Sequence, residues 1–102
     1  MSDSKQYDSL STVLMMALDQ ARSGKGKERH ATDNEAFEDQ QICQIPLWQG
    51  SIDFCTGQAI KKCLEVNRLP AHESKVRELL GAINYIAAAI VVLRSKYEHQ
   101  NI

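Results

Sequence analysis

Residues 72–97 read HESKVRELLGAINYIAAAIVVLRSKY and contain the most regular pattern in the chain. Apolar residues recur there at alternating spacings of three and four, the repeat of a helix that packs along one seam: Val76, Leu79, Ile83, Ile86, Ile90, Leu93 and Tyr97. Other apolar residues widen this surface, and a helix that is apolar nearly all round must be covered on most sides. The pattern predicts a long C-terminal helix through which the chain forms a homo-oligomer.

The apolar run in this helix is short for a membrane span. It covers the 15 residues from Leu79 to Leu93 and contains Asn84, whereas a span needs about 20. We therefore expect a buried helix and no membrane partner. Asn84 and Tyr85 need hydrogen-bond partners if they are buried, and they either fix the register of the oligomer or contact a ligand.

Shorter helices are predicted before this one. Residues 1–8 are polar and expected to be flexible, and apolar residues at helical spacing predict a first helix from Ser9. The glycines and charges of residues 24–36 indicate a loop. A short helix is expected from about Phe37 to Ile45, where it ends or kinks because Pro46 lacks a backbone donor.

A third helix is predicted from Ser51 or Asp53 to about Asn67. Its predicted buried stripe is Ile52, Cys55, Ala59, Ile60, Cys63 and Leu64, and its predicted outer face is Gln58, Lys61, Lys62 and Glu65. Gly57 weakens this helix, which suggests that a backbone or a ligand approaches closely there. Together the patterns predict an all-α fold, with one domain of three to four helices over residues 9–99.

Bulk composition narrows the class of protein. Apolar residues make up 43% of the chain, charged residues 25%, and the formal net charge is −1. The protein therefore has no overall positive electrostatic field that would attract a nucleic acid polymer. The three cysteines are odd in number and form no CxxC pair, which favours the reducing cytoplasm.

Residues 22–30 carry the strongest local signal for a ligand. Four basic residues stand there against Glu28, a local charge of +3, and two glycines let the backbone present N–H groups to an anion. The predicted phosphate-binding residues are Lys25, Lys27, Arg29 and His30. The segment is not a P-loop, since GxxxxGK[ST] is absent. The structural alternative is a cationic helix end followed by a solvated loop.

A second positive edge is predicted on the third helix, where Gln58 and Lys61 add to the ligand-binding set and Lys62 is adjacent. The alternative is an ordinary solvent-facing surface. An acidic stretch, Asp33 with Glu35, Glu38 and Asp39, follows the basic one. It either holds a divalent cation, pairs with a neighbouring subunit or a protein partner, or belongs to an acidic first helical turn.

Catalysis is not expected from these residues. All-α nucleotide pyrophosphohydrolases hold magnesium with paired carboxylates on facing helices. The last two helices offer Glu65, Glu73, Glu78 and Glu98, with no pair three residues apart on an inward face. Buried cysteines are inert nucleophiles, and no histidine is placed to activate Cys43. We expect no enzyme, no metal and no cofactor.

Three blocks carry a resemblance to known proteins: GKGKERHA at 24–31, GQAIKK at 57–62 and ELLGAINY at 78–85. They resemble a family of small phage and prophage proteins over roughly residues 18–93, a family that brings no established chemistry. In size, helical hairpin and oligomer-prone core, the chain also resembles phage anti-defence sponge proteins. Those proteins sequester cyclic nucleotides or ADP-ribose-derived signals in pockets between subunits.

The sequence thus leads to the hypothesis of a non-catalytic, homo-oligomeric protein that sequesters a phosphate-bearing, nucleotide-like molecule. Its expected location is the cytoplasm, which is the host's cytoplasm if a phage encodes the protein. Asn84 and Tyr85 would contact the base or the ribose. Two alternatives remain open. One is an all-α nucleotide pyrophosphohydrolase-like enzyme, and the other is a protein–protein inhibitor of a host defence enzyme.

Overall fold

The computed structural model describes residues 5–23 and 35–100, with side chains through residue 96. These residues form helices α1 (Asp8–Ser23), α2 (Gln41–Gln49), α3 (Asp53–Glu65) and α4 (His72–Gln100), and no strand occurs among them. A turn of 3₁₀ helix, Phe37–Asp39, precedes α2, and another, Val66–Arg68, follows α3. The prediction of an all-α fold with a long C-terminal helix is confirmed.

Helix α4 is the scaffold on which the other helices pack. The core lies where α2 and α3 meet it, and its buried side chains are Ile42, Cys43, Cys55, Ala59, Ala82, Tyr85, Ala88, Ala89 and Val92. The three alanines of α4, Ala82, Ala88 and Ala89, let neighbouring helices approach it closely. Helix α1 packs on another side of α4 and buries only Ala17 among its side chains.

Helix α2 differs from the prediction because it continues through Pro46 to Gln49. Proline has no N–H to donate to the carbonyl four residues before it, which here belongs to Ile42. The Cys55 thiol of α3 donates to that carbonyl instead, at 3.5 Å. The proline's missing hydrogen bond is thus replaced from a neighbouring helix, and α2 runs on without ending at Ile45.

The buried face of α3 is also rotated from the predicted one. Cys55 and Ala59 are buried as predicted, but Cys63 is exposed and Leu64 is 72% exposed. Lys62, predicted to face solvent, points towards α4 and forms an ion pair there. The stripe of α3 that faces α4 therefore contains Cys55, Ala59 and Lys62, and a count of apolar residues along the helix does not reveal it.

Gly50 ends α2 in the left-handed conformation, with φ +74°, and donates its N–H to the Pro46 carbonyl at 2.9 Å. Gly50→Ala is expected to lower the free energy of unfolding by about 1–2 kcal/mol, because a Cβ is strained there. Gly57 is helical, with open space around its Cβ position. Gly57→Ala is the matched control and should raise stability by up to about 1 kcal/mol. Urea denaturation of both variants measures this, and equal shifts would refute the assignment of Gly50 as a helix cap.

Candidate functional site

The predicted ligand-binding residues fall into separate regions. Lys25, Lys27, Arg29 and His30 lie outside the described residues. Of the other four, Gln58 and Lys61 belong to α3, and Asn84 and Tyr85 belong to α4. These four side chains do not line one shared pocket.

Asn84 holds α1 against α4. Its side-chain Nδ2 donates a hydrogen bond to the Ala17 carbonyl at 3.0 Å. About two turns earlier on α4, the Arg77 carbonyl accepts a hydrogen bond from the side-chain amide of Gln20 at 3.3 Å. Within one subunit, then, the half-buried Asn84 attaches the first helix to the last.

Tyr85 lies in the core at the boundary of α3 and α4. Its ring is 8% exposed and meets Phe54 edge to face, with centroids 5.9 Å apart. The Lys62 ammonium sits 5.8 Å from the ring centroid, within the range of a cation–π contact. Gln58 is on the same stripe of α3, one turn from both Phe54 and Lys62. Gln58 and Tyr85 therefore both lie along the boundary between α3 and α4.

Lys62 is the polar centre of this boundary. Its Nζ donates to Glu78 Oε1 at 2.9 Å, and the two side chains are only 19% and 22% exposed. The lysine stem crosses α4 at Gly81, where a Cβ would come within 3.1–3.3 Å of its terminal atoms. Sequence reasoning missed this pair because its partners are 16 residues apart on different helices.

Lys61, unlike Lys62, is exposed and lines a groove on the outer face of α3. We define the α3 groove by its lining residues: Gly57, Ile60, Lys61, Leu64, Glu65 and Arg68. Its volume is about 410 Å³. One face of α3 and the 3₁₀ turn after it supply the lining, so the groove is open to solvent on the other side. Ile60 and Leu64 give it an apolar surface, and two cations and the Glu65 carboxylate lie beside them.

Arg68 was not among the predicted ligand residues. It lies in the 3₁₀ turn that follows α3 and lines the groove together with Lys61. Within the described ranges 5–23 and 35–96, neither cation forms an ion pair; the pairs there are Lys62–Glu78 and a weak Arg22–Asp19 contact at 4.0 Å. The signal available in the sequence was a basic residue directly after the predicted end of the third helix at Asn67.

The buried cysteines are poor nucleophiles. Burial, with smaller contributions from Cys55, Glu38 and Asp39, raises the pKa of the Cys43 thiol to about 12. Burial also raises the pKa of Cys55, which donates to the Ile42 carbonyl. Both thiols stay protonated at neutral pH, and a thiol attacks as its thiolate.

The acidic stretch after residue 34 is exposed. The backbone carbonyls of Glu35 and Glu38 accept hydrogen bonds from the side-chain amides of Gln40 and Gln44, at 3.4 and 3.0 Å. Asp33 lies outside the described residues. Among those that are described, no group of three or more His, Cys, Asp or Glu side chains is placed to hold a metal ion.

Comparisons with known proteins found no matching family model, no similar curated protein and no similar solved structure. One further property concerns α4. By length and composition, residues His72–Lys96 are apolar enough to cross a membrane, although a third of the 18-residue window that meets this test is buried inside the protein. Core helices of soluble proteins meet the same criterion.

Proposed function

We propose that this protein is a non-catalytic, homo-oligomeric binding protein that captures a phosphate-bearing, nucleotide-like small molecule. The observation that carries the proposal is the α3 groove, which joins apolar surface to the exposed cations Lys61 and Arg68. A nucleotide has the same division, with an aromatic base at one end and phosphate at the other. Charge-assisted hydrogen bonds would supply much of the affinity.

The basic segment of the sequence supports the same ligand chemistry. Lys25, Lys27, Arg29 and His30 give a net positive stretch in a chain whose overall charge is −1, so anion binding depends on local clustering. The α3 groove has a wall on one side only. In the proposed oligomer, a neighbouring subunit would supply the facing surface. The basic segment, residues 22–30, is the part of the sequence that we propose binds phosphate.

A binding experiment tests this function with matched variants. Arg29→Ala and Lys61→Gln should each weaken binding of a phosphate-bearing ligand by roughly tenfold to a hundredfold, since each loses a charge-assisted hydrogen bond worth about 1.5–3 kcal/mol. Thermal stability should hardly change, because Lys61 is exposed. Calorimetric titration with cyclic dinucleotides and ADP-ribose derivatives, alongside thermal melts, measures both properties.

The control is Lys5→Gln, which removes an exposed cation far along the chain from both proposed sites. It should leave affinity unchanged. If no member of the panel binds the wild type, the ligand proposal fails. If the wild type binds a member and both Arg29→Ala and Lys61→Gln bind it equally well, neither residue belongs to the phosphate site. Cations near the carboxyl end of α3 would then serve only to offset the helix dipole.

A second candidate function is that of a protein–protein inhibitor, and Trp48 favours it. This tryptophan is 75% exposed near the end of α2, beside the partly exposed Leu47. Exposed tryptophans are frequent energetic centres of protein interfaces. A cellular protein that co-purifies with the wild type and is lost with Trp48→Ala would support this candidate over the first.

A further inference from the structure

Helix α1 is held to the subunit by a small contact that is separate from the core. Ala17 of α1 and Leu80 of α4 are buried, at 3% and 7% exposure, but neither belongs to the core where α2 and α3 meet α4. Leu80 lies about one turn before Asn84, which donates to the Ala17 carbonyl. The contact between α1 and α4 is therefore a second and much smaller buried region.

The apolar side chains of α1 contribute little burial to this contact. Isolated helices shorter than about 12–15 residues are marginal in water, and most helical stability in proteins comes from packing of an apolar face. Helix α1 has 16 residues and buries only the side chain of Ala17. Six other apolar side chains of this helix are between 39% and 54% exposed: Leu10, Val13, Leu14, Met15, Met16 and Leu18.

Two side-chain amides attach α1 to one stripe of α4. Asn84 donates to the Ala17 carbonyl at 3.0 Å, and Gln20 donates to the Arg77 carbonyl at 3.3 Å. The later residue of α1 thus pairs with the earlier residue of α4, so the two helices are antiparallel. Arg77, Leu80 and Asn84 are three and four residues apart, which places them on one face of α4. Each of the two hydrogen bonds adds only modestly to stability.

We infer that α1 is a detachable strap, which releases from α4 as a unit while α2, α3 and α4 stay folded. Among the described residues, the core that joins those three helices includes none from α1. Segments with few buried apolar contacts open at a free-energy cost well below that of global unfolding. Release uncovers Leu80 and frees the Asn84 amide, so docking of α1 controls access to this face of α4. The inference depends on neither the ligand nor the oligomer of the proposed function.

Amide hydrogen exchange of the full chain, followed by mass spectrometry of its peptides, tests the strap. The amides of α1 should be protected at least about a hundredfold less than the core amides of α3 and α4. Asn84→Ala and the nearly isosteric Asn84→Asp both remove the amide donor. Each should lower the protection of α1 by a further factor of roughly five. Unchanged protection of α2 and α3 in the same samples shows that these variants fold.

Asn67→Ala is the matched control, because Asn67 is an exposed asparagine in the 3₁₀ turn after α3. It should leave exchange in α1 unchanged. The inference is overturned if the amides of α1 exchange as slowly as those of the core, since α1 would then open only with the whole fold. Wild-type exchange in both Asn84 variants would remove Asn84 from the attachment. Equal loss of protection in all four helices would show that α1 is not a separate unit.

Discussion

Ile86→Asp is expected to convert the oligomer into folded monomers. Ile86 lies in the middle of the heptad stripe of α4, which consists of Leu79, Ile83, Ile86, Ile90 and Leu93, and is 49% exposed in the subunit. In the proposed oligomer, the substitution would bury unpaired carboxylates, each at an effective cost of several kcal/mol. The dissociation constant should therefore rise at least about a thousandfold, which corresponds to roughly 4 kcal/mol.

The subunit itself should survive the Ile86→Asp substitution, since the half-exposed side chain can turn its carboxylate to water. Sedimentation velocity at micromolar concentration measures the mass, and circular dichroism measures the helix content. Met15→Asp is the matched control, because Met15 is 53% exposed but lies on α1. Equal loss of assembly in both variants would show that the exposed heptad stripe of α4 has no special role.

Tyr85→Ala is expected to have the largest effect on folding. It removes a buried ring that contacts Phe54 and the Lys62 ammonium, and large aromatic truncations in a core cost about 3–5 kcal/mol. The loss is a large fraction of the 5–15 kcal/mol that stabilises a typical domain. Thermal unfolding should shift down by roughly 15 °C or more, at about 4–8 °C per kcal/mol.

Tyr85→Phe separates this structural role from the predicted ligand contact. The ring and its packing remain, and only the hydroxyl is lost. If Tyr85 also contacts the ligand, Tyr85→Phe should lose less stability than Tyr85→Ala and still bind more weakly in calorimetry. Wild-type stability after Tyr85→Ala would contradict the core assignment, because a buried ring cannot be removed without leaving a cavity.

The helices and the long α4 could be predicted from sequence because each depends on local periodicity. The heptad spacing of residues 76–93 is such a pattern, and the structure leaves most of that stripe exposed. The continuation of α2 past Pro46 could not be predicted in this way. It depends on the Cys55 thiol, which comes from another helix and donates to the carbonyl that the proline leaves unpaired.

In the candidate site, too, local periodicity predicts some features, whereas others depend on contacts between helices. The exposed position of Lys61 agrees with the predicted outer face, since charged residues at helical spacing mark solvent-facing surfaces. The inward turn of Lys62 depends on Glu78 and on the missing side chain of Gly81, which only the packed helices bring together. Likewise, Asn84 was expected to act between subunits or on a ligand, whereas it donates to the Ala17 carbonyl within its own chain.

Native mass spectrometry of protein purified from cells tests the central claim, capture of a phosphate-bearing molecule by an oligomer, most directly. It reports subunit stoichiometry and any retained ligand in one spectrum. The account predicts an oligomer that carries a small molecule. On collisional dissociation, that molecule should give phosphate-containing fragments, and its own mass should be that of the intact ligand and not of a hydrolysis product. A monomer without a bound molecule, after gentle purification at micromolar concentration, would contradict the claim.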